Sequence, residues 1–183
     1  MKKITILILA LSLFSCKEDP KEETLDKNID NESVIDKSLM RVSFNLIAEK
    51  DDKACLFYTE DGTINFEDKK TIWTDIIGST SEKEIVFTLP KDVLPTHLRI
   101  DLGRGKNPEQ KYIDIKGFKI SYFDKEFVAK DSAIFNYFYP NKDVNIKTPN
   151  STILKKIDIN QETAVILYPH MPLTEELEKI VKQ

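Results

Sequence analysis

The sequence predicts an all-β domain, a β-sandwich, followed by a short C-terminal helix. Two observations support this fold class. Short runs in which apolar and polar residues alternate recur along the chain, as half-buried strands require. Turn residues separate these runs, and the intervals between them leave no room for the crossover helices of a parallel sheet.

The first half of the folded region contains five predicted strands. The last of them is the clearest, because alternation places Leu98, Ile100 and Leu102 on the inner face and leaves Arg99 and Asp101 on the outer face. The first run places Phe44 and its alternate neighbours on one face in the same way. The five runs are LMRVSFNLIA, ACLFYT, KTIWTDII, EIVFTLP and HLRIDL.

The second half begins with a long alternating run, YIDIKGFKISYF, that is interrupted at Gly117, where a bulge is expected. The strands predicted after it are AIFNYFY, DVNIK, TILKKIDI and AVILY. A C-terminal helix is expected from Thr174 as N-cap, with Leu177 and Ile180 on its apolar stripe. The sandwich is therefore assigned to residues 39–172 and the helix to residues 173–183.

Composition and motifs exclude some functions and weaken others. The net charge is −4 and the basic residues are dispersed, which excludes the concentrated basic face of a nucleic-acid-binding protein. The sequence contains no HExxH, CxxC, GxSxG, P-loop or EF-hand pattern. Cys55 lies in a predicted strand with no histidine at a catalytic spacing, so a buried, inert thiol is expected. These absences weigh against the easily recognised enzyme classes and not against all enzymes, and we predict a non-catalytic protein.

The amino terminus has the layout of a secretory signal over residues 1–15. Lys2 and Lys3 precede a short apolar run, which is too short to span a membrane and ends at Ser15-Cys16. The segment LFSC resembles the lipobox of bacterial lipoproteins, and this resemblance implies that Cys16 is acylated and becomes the first residue of the mature protein. An ordinary cleaved signal with an incidental cysteine is the alternative.

Residues 16–38 are rich in charged and polar residues and poor in aromatics, which predicts a flexible acidic tether. The segment Lys17-Glu18-Asp19 resembles the surface-export signal of Bacteroidota lipoproteins. That resemblance implies an outer-membrane protein, held to the membrane by its N-terminal lipid and exposed at the cell surface. A solvated tether without an export role is the alternative.

Residues 87–122, FTLPKDVLPTHLRIDLGRGKNPEQKYIDIKGFKISY, resemble part of the jelly-roll, carbohydrate-binding-like modules of some bacterial glycosyltransferases and membrane proteins. The preceding CLFYTEDG is similar to a strand of the same modules. The resemblance covers about half of the domain and implies a jelly-roll-like sandwich. Leu102 departs from the proline that is common after the aspartate, which puts the following turn in doubt.

Glycan binding requires flat aromatic platforms together with polar side chains, and several residues are candidates for this role. Trp73 is either a core anchor or a platform, and Arg99 and Asp101 either fix the strand register or face a ligand. Tyr137 and Tyr139 share one face of AIFNYFY if that segment is a strand. The candidate ligand-binding residues are Tyr58, Trp73, Arg99, Asp101, Tyr137, Tyr139 and Asn141.

No cofactor is predicted, but jelly rolls often hold a structural calcium ion. Oxygen ligands for Ca²⁺ are expected from several aspartates, none of which has a diagnostic spacing. These aspartates are Asp61, Asp124, Asp131 and Asp143.

Taken together, these features predict a surface lipoprotein whose sandwich binds a glycan without catalysis. The alternatives are a protein-interaction subunit of a cell-envelope complex and a glycan-active hydrolase.

Overall fold

Two antiparallel sheets pack face to face in a computed structural model of the chain, which confirms the predicted β-sandwich. The structure describes residues 35–146, 148, 150–158 and 164–182. The predicted signal sequence, the lipidation site Cys16 and most of the predicted tether lie outside the described residues.

Eleven strands and one α-helix make up the described part of the chain. The six-stranded sheet has the order β4-β1-β6-β10-β9, and β7 also pairs with β6. The five-stranded sheet has the order β3-β2-β5-β11-β8. The elements are β1 (Arg41–Ala48), β2 (Asp52–Thr59), β3 (Thr71–Ile76), β4 (Lys83–Thr88), β5 (His97–Leu102), β6 (Tyr112–Tyr122), β7 (Lys125–Lys130), β8 (Phe138–Pro140), β9 (Val144–Ile146), β10 (Ile153–Lys156), β11 (Val165–Pro169) and α1 (Met171–Val181).

The core lies between the sheets and is filled by the inward residues of each alternating strand. On β5 these are the expected Leu98, Ile100 and Leu102, all fully buried. Phe44 and Phe118 pack with ring centroids 4.9 Å apart, and Phe118 in turn meets Phe138 edge-on. Because the inward side chains already fill the core, the side chains on the outer faces of the two sheets are available to contact a ligand or a partner.

The bulge predicted near Gly117 is present. The register between β1 and β6 shifts where Asn45 pairs with Gly117 but Leu46 pairs with Ile115, so Lys116 is the extra residue. The parts of the run before and after the bulge therefore form one continuous strand, β6.

Strand β7 was not predicted from the sequence. It forms a hairpin with β6 through the two residues Phe123 and Asp124, and Phe123 has a φ of 51°. The usual signal for such a turn is glycine or asparagine, which tolerate positive φ. Phe123 does not give this signal, so the hairpin could not be recognised from the sequence.

The prediction of a single strand over AIFNYFY is wrong. Asp131–Asn136 forms a 3₁₀ helix, and only the short β8 follows it. The chain crosses here from the six-stranded sheet, which contains β7, to the five-stranded sheet, which contains β8. A crossing between layers requires a change of direction that a continuous strand cannot make.

The C-terminal helix begins at Met171, three residues before the predicted N-cap Thr174. Pro172 lies in its first turn, where its missing N–H is not needed. Leu173, Leu177 and Ile180 are buried against the helix's own domain, where α1 contacts β5, β6 and β7. Within the described residues, no helix has the length and apolar character to cross a membrane.

Candidate functional site

The outer face of the five-stranded sheet carries an unusual row of aromatic and arginine side chains. Strand pairing aligns Trp73 with Cys55 and Asp101 in one register row. In the next row Phe57 is aligned with Arg99, and Tyr168 with Tyr139. We call the outward side chains of these two rows, together with Phe66, Arg104 and His170, the aromatic–arginine face.

Arg99 lies at the centre of this face and is held from several directions. Its Nε and Nη2 donate to the two carboxylate oxygens of Asp101 at 2.8 and 2.9 Å, a bidentate pair. Its guanidinium carbon lies 3.9 Å from the ring centroid of Phe57, close enough for a cation–π contact. The side chain of Asp101 is fully buried, so this ion pair is part of the structure of the face.

Arg104 comes to the same place from the loop that follows β5. Its guanidinium carbon is 5.5 Å from the ring of Phe57 and 5.8 Å from the ring of Trp73. Its Nη1 is 3.6 Å from Asp101, and its Nη2 is 3.9 Å from Asp68. Both distances exceed that of a normal hydrogen bond. Among the described residues, no close ion pair occupies the N–H donors of the Arg104 guanidinium, so a ligand could accept hydrogen bonds from them.

Two glycines fix the loop that presents Arg104. Gly103 has a φ of 80°, and a Cβ on Gly105 would lie 2.4 Å from Asp52 Oδ1. The carboxylate of Asp52 accepts hydrogen bonds from the backbone of Lys53 and Asn107. The amide of Arg104 donates to the Lys53 carbonyl at 2.7 Å. The Gly-Arg-Gly segment therefore folds tightly onto the start of β2 and directs Arg104 over the sheet.

The two ends of the face are open to solvent. Trp73 on β3 is 51% exposed, and Tyr139 on β8 is 43% exposed. Tyr139 stacks on Tyr168 with ring centroids 5.5 Å apart and also meets His170 at 4.8 Å. Since β3 and β8 are the two edges of a five-stranded sheet, roughly 19 Å separate the two strands at about 4.8 Å per strand.

The structure brings together four of the residues that the sequence singled out: Trp73, Arg99, Asp101 and Tyr139. Of the two alternatives for Trp73, the structure excludes the core anchor, because half of the side chain is exposed. The structural alternative for Arg99 and Asp101, that they pair with each other, describes their geometry.

Sequence reasoning missed several members of the face. Phe57 and Tyr168 lie in the runs ACLFYT and AVILY, which have apolar residues on both faces of the strand, so the sequence does not indicate which face is the inner one. Arg104 carried a usable signal, because glycines on both sides of an arginine indicate a tight loop that displays it.

Two predicted ligand-binding tyrosines lie elsewhere. Tyr58 belongs to the core and is buried between the sheets. It alternates with the outward Phe57, so only one of the two can face solvent. Tyr137 packs against the core and meets Phe127 edge-on at 4.8 Å. The predicted face that it shared with Tyr139 does not exist, because the preceding residues form a 3₁₀ helix.

Asn141 has a structural role in the turn after β8. Its side-chain Oδ1 accepts a hydrogen bond from the backbone N–H of Ile166 at 3.0 Å, and its backbone N–H donates to the Ile166 carbonyl at 2.8 Å. Its Nδ2 lies 3.4 Å from Asp143. These bonds secure the chain beside β11, and they use the groups with which Asn141 would have bound a ligand.

The sulfur of Cys55 lies under the face and is fully buried. Burial, followed by the negative charge of Asp101, raises the pKa of the Cys55 thiol to about 11. A nucleophilic cysteine requires a lowered pKa, so this environment is that of an inert thiol. His97, on the same strand as Arg99, has its pKa lowered by burial, which Asp61 partly opposes.

The predicted calcium ligands do not come together in the part of the chain that the structure describes. Asp61 accepts from Thr63 in the loop after β2, and Asp124 pairs with Lys37 at 3.2 Å. Asp131 begins the 3₁₀ helix, and Asp143 lies in the turn before β9. No group of three or more His, Cys, Asp or Glu residues suited to a metal ion occurs among the described residues. The calcium site stays a prediction.

The outer face of the six-stranded sheet is different in character. Two shallow grooves of about 470 and 490 Å³ lie there and share Ser43, Glu84 and Lys119 in their walls. Arg41 and the exposed Phe123 border the first groove. Charges of both signs line this face, and the ring pair that borders the first groove, Tyr122 and Phe123, meets edge-on, whereas Tyr139 and Tyr168 stack on the opposite face.

Comparison with protein-family models, with curated proteins and with solved structures gave no match to this chain. The chemistry of the site is therefore argued from its geometry. Exposed rings with a guanidinium beside them can bind a flat, partly apolar ligand that also carries hydrogen-bond acceptors.

Proposed function

We propose that this protein is a lipid-anchored lipoprotein of the outer membrane, exposed at the cell surface, whose sandwich domain binds glycans without catalysis. The observation that supports glycan binding is the aromatic–arginine face, with Trp73 and Tyr139 exposed at its two ends. The lipid anchor rests on the sequence around Cys16.

A sugar ring presents apolar C–H groups on its faces and hydroxyl groups around its edge. A flat aromatic side chain can cover the first, while arginine donors satisfy the second. The sheet fixes both kinds of group in advance, because Phe57 and Asp101 hold Arg99, and Tyr168 holds Tyr139. Binding to such a prearranged surface costs little ordering entropy.

The test is a glycan-array screen of the full chain, purified in a neutral detergent, followed by titration calorimetry. We expect Trp73→Ala and Tyr139→Ala each to weaken binding about tenfold or more, because each removes a ring on which a sugar can stack. Phe123→Ala is the matched control. It removes an equally exposed ring, 52% accessible, from the opposite side of the sandwich.

A folded protein that binds no glycan on the array would contradict the proposal. So would binding that both ring deletions leave unchanged. Circular dichroism of each variant establishes that a loss of binding is not a loss of fold.

The alternative of a protein-interaction subunit now rests on the aromatic–arginine face alone. The C-terminal helix does not support it, because the apolar stripe of the helix is buried against its own domain. Deletion of residues 173–183 would therefore destabilise the fold as well as remove any partner binding, so it cannot test this alternative. A stoichiometric partner that co-purifies with the wild-type chain but not with Trp73→Ala would favour this alternative.

A further inference from the structure

Arg104 is more weakly paired than the lysines that lie on or beside the neighbouring strands β2 and β3. Lys53 pairs with Asp75 at 2.8 Å, and Lys70 pairs with Glu60 at 3.0 Å. Among the described residues, the ion pairs of the Arg104 guanidinium are the two longer ones, to Asp101 and Asp68. Asp101 already uses both oxygens on Arg99, and the side chain of Asp68 is 94% exposed.

The choice of arginine at this place is also informative. The chain has three arginines among its 27 basic residues, and two of the three lie on this face. A guanidinium stacks on aromatic rings and offers paired donors that match a carboxylate, whereas a lysine ammonium does neither as well. Arg104 lies near the rings of Trp73 and Phe57 and so combines both properties.

We infer that the ligand is an acidic glycan, and that Arg104 binds its carboxylate while the sugar ring stacks on Trp73. This inference rests on the proposed glycan-binding function. The carboxylate of a uronic acid lies at the edge of the sugar ring, and a ring on Trp73 would place it beside the guanidinium. Asp68 occupies the approach to Arg104 as a weak intramolecular competitor.

The test uses defined probes with the full chain in neutral detergent. The acidic probes are hexasaccharides of polygalacturonate and of unsulfated chondroitin, each compared with its carboxyl-reduced, neutral counterpart. Sulfated chondroitin whose carboxyl groups have been reduced distinguishes a carboxylate-specific site from one that accepts any anion. We expect at least one carboxylate-bearing probe to bind about tenfold or more tightly than its reduced form, in keeping with a charge-assisted hydrogen bond.

Three variants assign that preference to Arg104. Arg104→Gln should abolish the preference for the acid and leave binding of the reduced probe within about twofold. Arg41→Gln removes the same charge from the opposite face, where Arg41 borders a groove of the six-stranded sheet, and should change nothing. Asp68→Asn should strengthen binding of the acid roughly twofold, because an exposed ion pair is weak.

The outcomes separate this inference from the proposed function. Equal binding of acidic and reduced probes, or binding of neutral glycans alone, overturns the acidic-ligand inference and leaves glycan binding in place. A preference that survives Arg104→Gln overturns the role of Arg104. A preference for the sulfated probe alone overturns the assignment of a carboxylate. A failure to bind any glycan, acidic or neutral, overturns both proposals.

Discussion

Asp101 is the residue on which the arrangement of the aromatic–arginine face depends. Its buried carboxylate accepts two hydrogen bonds from Arg99 and lies 3.6 Å from Arg104. A buried carboxylate is costly to desolvate, and its charge is compensated here by two guanidinium groups. Removing the charge would leave Arg99 without its main partner.

We therefore expect Asp101→Asn to lower the free energy of unfolding by about 3 kcal/mol, because it breaks a buried ion pair and keeps the shape of the side chain. Urea denaturation followed by circular dichroism measures this. Asp68→Asn is the matched control at an exposed carboxylate and should change stability by less than about 0.5 kcal/mol. Equal effects of the two changes would contradict the structural role of Asp101.

Cys55 gives a second prediction at the scale of one residue. In a chain carrying Cys16→Ser, Cys55 is the only thiol, and a pKa of about 11 instead of 9.0 lowers its thiolate fraction at pH 8 about a hundredfold. We expect iodoacetamide at pH 8 to alkylate Cys55 in the folded chain at least a hundredfold more slowly than in the chain unfolded in guanidinium. Rapid alkylation of the folded chain would indicate an accessible, activated thiol.

The raised pKa also determines the sign of a pH effect. The folded state holds the thiol proton more tightly than the unfolded state, so this stabilisation is complete below pH 9 and is lost as the pH rises through about 11.

At the scale of elements, α1 serves the sandwich and is not an independent appendage. Leu173, Leu177 and Ile180 are buried on it, and Lys125 of β7 donates to the carbonyls of Lys179 and Lys182 at its C-terminus. A basic side chain at this end of a helix also complements the helix dipole. The helix therefore closes the core beside β6 and β7.

We expect Leu177→Ala to lower the free energy of unfolding by about 3 kcal/mol, because it leaves a cavity between the helix and the sheets. Met171→Ala, at the exposed start of the same helix, should change it by less than about 0.5 kcal/mol. Chemical denaturation of both variants measures the difference. Two small effects would mean that the helix is not docked as the structure has it.

At the scale of the whole molecule, the domain presents two chemically distinct faces. One is the aromatic–arginine face, and the other is the mixed-charge face with Arg41, Glu84 and Lys119. In the lipoprotein that we propose, the charged residues between Cys16 and the domain connect it to the membrane.

The anchor is tested in a cell that acylates lipoproteins. We expect the wild-type chain to incorporate an alkyne analogue of palmitate and to fractionate with the outer membrane, and Cys16→Ala to do neither. Protease treatment of intact cells then tests surface exposure. Labelling that persists in Cys16→Ala would contradict Cys16 as the acylated residue.

Alternation in the sequence predicted most of the strands correctly, because a strand buried on one face repeats every two residues whatever its partners. It predicted the inward side of β5 and the bulge at Lys116 and Gly117 for the same reason. It failed at β7 and over Asp131–Asn136, where the signal depends on a turn with unusual backbone angles or on a crossing between layers.

What the sequence by itself determined is the fold class, most of the strands and the side chains that share one face of a strand, as with Arg99 and Asp101 on β5. The tertiary structure alone decided which aromatic residues share a surface. Phe57 and Trp73 come from β2 and β3, and Tyr139 and Tyr168 come from β8 and β11 near the other end of the chain; only the strand order β3-β2-β5-β11-β8 brings the two pairs onto one surface. Strand order depends on the packing of the whole core, and no local pattern encodes it.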